Sequence, residues 1–182
     1  MKTLVIHPLD KSTQFLKPIY AGLTGDVTVI EGGVDKDDVR EMILEADRVI
    51  MLGHGSPQGL FSIGQFENCK SGMIIDVTML TALARKPNNV YVWCNADRFV
   101  DYYHLNGFYS GMFISEYGEA SWCKVQANKD KQDVEVSNDL FAEIVGKSIM
   151  MEAKNIHDNT KLLYHIEGNG VAKYNNERLY WK

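Results

Sequence analysis

The sequence is poor in several features that would otherwise narrow its reading. It has three cysteines in 182 residues, Cys69, Cys94 and Cys123, an odd number at wide spacing. No two of them form a C-x-x-C zinc or redox motif, and an odd count suits a reducing compartment better than a disulfide framework. Each thiol therefore has to be judged by its own surroundings. Basic charge is also lacking. The formal net charge of −5 gives no argument for a nucleic-acid or anionic-membrane partner. No apolar run approaches the roughly 20 residues that cross a bilayer, and the opening "MKTLVIHPLDKS" has too short an apolar stretch for a signal peptide. Internal repeats and low-complexity segments are absent as well. These absences predict a cytoplasmic protein with neither nucleic acid nor membrane among its partners.

What is present is ordinary for a globular chain: 45% hydrophobic and 24% charged residues. The length predicts a single domain over 1–182, large enough to bury a core without staples. Apolar runs at 2–8, 26–33, 48–53, 89–94 and 108–115 read as strands. Between them, 35–46 reads as a helix capped by Asp35, 76–86 as a helix capped by Asp76, and 96–107 as a short helix. The stretch 60–75 is broken by glycines and reads as a hairpin or irregular flap, and 116–125 as a helix. Further on, 127–136 reads as polar loop, 137–156 as the longest helix with Ser137 as its cap, and 161–181 as a strand or small hairpin. Continuous apolar strands separated by helices predict a mainly parallel sheet covered on both faces, a three-layer α/β sandwich.

Sites in such sheets lie outside the carboxyl ends of the strands. The run "RVIMLGHG" sets His54 between two glycines just past the third strand, and "VYVWC" ends the fourth on Cys94. If those strands are parallel neighbours, about 4.8 Å apart, a histidine and a cysteine at their ends come within reach of each other. His54 is then the expected general base and Cys94 the nucleophile. The backbone N–H groups of Gly55 and Cys94 are candidate donors to an oxyanion, since glycine lets the main chain approach a substrate closely. A helix starting near Asn95 would lower the thiol pKa.

These two motifs resemble those of the caspase-like cysteine peptidases, in which an apolar strand runs into His-Gly and a later one into the nucleophilic Cys. The likeness covers residues 1–125 by element order. It includes the hairpin after His-Gly, the helix before the Cys strand, and the strand 107–115 after the next helix. The resemblance implies hydrolysis of a peptide amide through an acyl-enzyme on Cys94, with a peptide or protein substrate and neither metal nor organic cofactor. It also implies a substrate-binding role for the loop after the first strand, His7 to Lys11, where Asp10 would suggest a basic residue in the specificity pocket and Lys11 an acidic one. Trp93 departs from the small residue that members often carry before the Cys, and is expected to fill the pocket. Glu116, at the end of the fifth strand, is a candidate pocket wall.

Other readings stand beside this one. Cys94 alone would be an ordinary buried thiol. Cys69 and Cys123 are expected to be structural, and His7, before Pro8, to sit at a solvated strand end. His104, His157 and His165 lack metal-ligand spacing. The loop 53–59 lacks the Lys-Ser/Thr of a phosphate-binding loop. The main rival is a catalytically silent relative acting as a binding or scaffold protein. An edge strand in the tail is available to a second copy, and the sequence fixes no oligomeric state.

Overall fold

The apolar runs of the sequence become the strands of one sheet. In a computed structural model, which describes residues 1–125 and 131–182, the first run forms β1 (Thr3–Ile6). The chain then winds through a 3-10 helix (Lys11–Leu16) and α1 (Pro18–Ala21), neither announced by the apolar pattern, to β2 (Val27–Ile30). α2 (Lys36–Glu45) begins as expected, the Asp35 carboxylate accepting from the Asp37 N–H at 2.8 Å. After β3 (Arg48–Leu52), the glycine-broken stretch makes three short strands, β4 (Gly55–Ser56), β5 (Gly59–Phe61) and β6 (Met73–Ile75), paired as a separate antiparallel sheet. Asp76 caps the turn that leads into α3 (Leu80–Leu83), accepting from Thr78 N–H at 3.0 Å. β7 (Val90–Val92), α4 (Ala96–Tyr102), β8 (Phe108–Ser110) and α5 (Tyr117–Trp122) follow.

The C-terminal third departs from expectation in three places. First, Lys131–Ser148 is one helix, α6, so residues 131–136 are helix rather than loop, while 127–130 lie outside the described residues. The apolar stripe begins earlier than its polar surroundings suggest, because Val134 is buried one turn before Ser137 and Asn138, which are buried too. Second, Ser137 is no cap. It lies inside α6, its hydroxyl 2.6 Å from the Tyr164 hydroxyl. Nor does the helix run on to 156. The chain turns at 149–152 and restarts as α7 (Ala153–Leu163), whose first N–H donates to Asn88 Oδ1 at 3.0 Å. Third, the tail is mostly helical. α8 (Gly170–Glu177) is capped by Asn169, and only Leu179–Trp181 forms a strand, β9.

The main sheet has the order β2-β1-β3-β7-β8-β9, with every neighbouring pair parallel except β8 and β9. Alternate residues of each strand feed two cores, as the two-residue period requires. Leu4, Ile6, Met51, Tyr91 and Trp93 pack with Val39 and Ile43 of α2, Leu83 of α3 and Phe99 of α4. Val5, Ile50, Leu52, Val90 and Val92 pack on the other side with Phe141 and Val145 of α6, Ile156 of α7 and Ala172 of α8. Apolar side chains on both faces make strands buried on both sides the stable arrangement, each fully buried Val, Leu or Ile contributing about 1.5–3 kcal/mol. The result is an α/β fold compatible with three layers. Among the described residues no helix is long and apolar enough to cross a membrane.

Candidate functional site

β3 and β7 are adjacent and in register, Leu52 opposite Val92, so His54 and Cys94 each stand two residues past a level pair. The Gly53 N–H continues the ladder by donating to the Val92 carbonyl at 3.0 Å. Gly53 then turns the chain at φ +142°, a backbone shape that side chains rarely adopt. His54 and Cys94 both line a pocket of about 20 Å³, closed by Thr13, Phe15 and Leu16 of the 3-10 helix, by Val92, and by Phe113 and Ser115 after β8. That volume holds about one water. The two side chains share the pocket and exchange no hydrogen bond.

The first partners of His54 are residues of the 3-10 helix. Its Nε2 lies 2.6 Å from Ser12 Oγ and 3.4 Å from Asp10 Oδ1. Asp10 caps that helix, its Oδ1 accepting from the Ser12 N–H at 2.8 Å and from the Ser12 hydroxyl at 2.5 Å. These hydrogen bonds hold the Asp10 carboxyl below its ordinary pKa, with a smaller contribution from His54. Asp10, expected in a specificity pocket, is thus engaged with His54. The pattern Asp10-x-Ser12 is a capping signature that the sequence does display, but nothing in it announces that the cap meets a histidine 42 positions away.

Cys94 follows the opposite course from the expected one. Its thiol donates to the Phe113 carbonyl at 3.4 Å. Burial pushes its pKa up to about 11, with Glu119 adding to the rise and Cys123 and Glu116 contributing less. The short α4 behind it does not overcome these effects. At neutral pH the resting thiol is therefore protonated.

The remaining predicted residues fall around this pair. Gly55 is needed for its lack of a side chain: a Cβ there would meet Trp93 Cδ1 at 2.3 Å and the Gly59 carbonyl oxygen at 2.6 Å. The Phe61 N–H donates to the His54 carbonyl, which makes Gly55 and Leu60 a pair exchanging no hydrogen bonds and turns the Gly55 N–H away from β5. The Cys94 N–H has no acceptor among the described residues. The Trp93 indole is buried beside Tyr91 and Phe99, donates to the Ser56 carbonyl at 3.1 Å, and belongs to the core on the α2 side of the sheet. Trp93 also contributes to the lining of the pocket between His54 and Cys94. Glu116 is exposed at the head of α5, in reciprocal capping with Glu119. It lines a separate open hollow of about 320 Å³, which Ser115 also borders.

His7 is not at a solvated strand end. It is 1% exposed, with Nδ1 3.0 Å from the Tyr20 hydroxyl and Nε2 3.1 Å from Thr13 Oγ1. Burial lowers its pKa to about 4, against a smaller opposing pull from Glu31. Ser12 and Thr13 thus tie one 3-10 helix to both histidines of this sheet edge. The pocket residues that no sequence motif marked are Thr13, Phe15 and Leu16, and Ser12 beside them is the unmarked partner of His54. Among the described residues no group of three or more His, Cys, Asp or Glu side chains is arranged to hold a metal ion. No known family model matches the chain, and no curated protein matches it either.

Proposed function

We propose that the protein is a cysteine-dependent peptidase of the caspase-like kind, with His54 as general base and Cys94 as nucleophile. The observation that carries this reading is the level pairing of β3 and β7, which sets His54 and Cys94 side by side over one pocket at the carboxyl edge of a parallel sheet. The three-stranded unit directly after His54, and β8 after the helix that follows Cys94, support the family resemblance.

The chemistry follows from the groups present. His54 takes the thiol proton as Cys94 Sγ bonds to the carbonyl carbon of the scissile amide. The carbonyl electron pair moves to oxygen, which the Cys94 and Gly55 N–H groups are free to receive. Collapse expels the amine, which takes the proton back from His54, and leaves a thioester on Cys94. Water, deprotonated by the same imidazole, releases the acid and restores the thiol. Because the resting thiol is neutral, proton transfer belongs to the attack itself and not to a standing ion pair. The hollow beside Ser115 gives an extended substrate somewhere to lie.

One observation favours the silent-relative reading: the Cys94 thiol is satisfied by the Phe113 carbonyl in a pocket with room for about one water. A proteome-derived peptide library separates the two. The peptidase reading predicts new termini with the wild type and none with Cys94→Ala or His54→Ala, read by mass spectrometry. Cleavage that survives Cys94→Ala, or an inert wild type, contradicts it.

A further inference from the structure

We infer that Asp10 and Ser12 are positioning residues for His54: they hold its imidazole in the tautomer protonated at Nε2, so that the lone pair needed for proton abstraction sits on Nδ1. The catalytic part rests on the peptidase reading above, whereas the tautomer does not.

Three polar atoms form a close triangle: Ser12 Oγ lies 2.5 Å from Asp10 Oδ1 and 2.6 Å from His54 Nε2, and the last two are 3.4 Å apart. An ionised carboxylate can only accept, and a serine hydroxyl has one proton to give. If that proton goes to Asp10, the contact between Ser12 Oγ and Nε2 needs its own donor, and His54 Nε2–H is the only one among the three. The reverse arrangement, Ser12 donating to Nε2, sets the serine oxygen against a carboxylate oxygen at 2.5 Å with no proton between them. It also points the Nε2 lone pair toward a carboxylate oxygen 3.4 Å away. Both contacts are repulsive, so the relay runs from Nε2–H to Ser12 Oγ and from Ser12 O–H to Asp10.

The relay is also rigid. Asp10 Oδ1 is fixed a second time by the Ser12 N–H, and the Asp10 carbonyl accepts from Gln14 Nε2 at 3.0 Å. Buried Thr13 and Leu16 anchor the same 3-10 helix in the core. The imidazole is therefore held in one orientation, as an aspartate holds the histidine in other nucleophilic sites.

Long-range proton–nitrogen correlation spectra of 15N-histidine-labelled protein test this directly. The spectrum has five imidazoles to resolve, and His54→Gln identifies the relevant one. The wild type should show His54 protonated at Nε2 near pH 8. Ser12→Ala and Asp10→Ala should shift it toward a mixture, and Ser12→Thr, which keeps the hydroxyl, should restore the wild-type signature. In hydrolysis, Ser12→Ala should lower kcat roughly tenfold to a hundredfold with KM little changed. A wild-type Nδ1–H tautomer, or a spectrum indifferent to both alanine variants, overturns the proposal. A wild type without hydrolysis overturns the peptidase reading alone, because the spectra still decide the tautomer.

Discussion

At Cys94, burial outweighs the helix. The sequence offers a cysteine just before a helix start, an environment that usually acidifies a thiol, yet the structure buries it, gives it a carbonyl to donate to, and faces it toward Glu119 and Glu116. No reading of residues 90–97 could weigh those carboxylates, which arrive from α5 some 20 residues later. His54 was legible because two glycines and a strand end isolate it, whereas Ser12 was hidden because its partner is distant in the chain. His7 makes burial measurable. Its pKa of about 4, against an ordinary 6.5, means that the unfolded chain binds a proton which the fold refuses. The neutral form stabilises the protein above pH 6.5, and that contribution is lost as pH falls toward 4. Between pH 7.5 and 5, urea denaturation should show a loss of about 2 kcal/mol from this residue, largely absent in His7→Gln. An equal loss in the variant would mean that His7 titrates normally.

Single elements show how much the site depends on close packing. β4 exists where it does because Gly55 lets the Trp93 ring lie against the main chain, with the Trp93 Nε1–H on the Ser56 carbonyl. A methyl at Gly55 would have to displace both an indole and the Gly59 backbone. Gly55→Ala should therefore destabilise the protein by about 1–3 kcal/mol in denaturant titration, while Ser56→Ala, on the half-exposed turn, should stay within about 0.5 kcal/mol. A Gly55→Ala midpoint equal to the wild type would show that the ring is not seated there. Elements with a clean apolar period, such as α2 and β3, could be read from the sequence almost to the residue. α6 and α8 could not, because buried Ser137, Asn138 and Asn175 interrupt their stripes with polar side chains whose hydrogen bonds reach distant partners.

The whole molecule brings the site together. β1, β3, β7 and β8 are consecutive in the sheet, so the segments leaving their carboxyl ends converge: Asp10 and Ser12 after β1, His54 after β3, Cys94 after β7, Phe113 and Ser115 after β8. Apolar runs and their spacing suggested a parallel sheet, but the order of its strands depends on which helices cover which face, and no local motif states it. The central claim is that this convergence couples His54 to Cys94 across 40 residues of chain. The rate of Cys94 alkylation by iodoacetamide as a function of pH, read by peptide mass spectrometry in the wild type and in His54→Ala, tests it most directly. The account predicts faster labelling in the wild type near neutral pH, with the two curves converging as the pH nears about 11, where the thiol ionises unaided. Curves that superimpose over the whole range would contradict it.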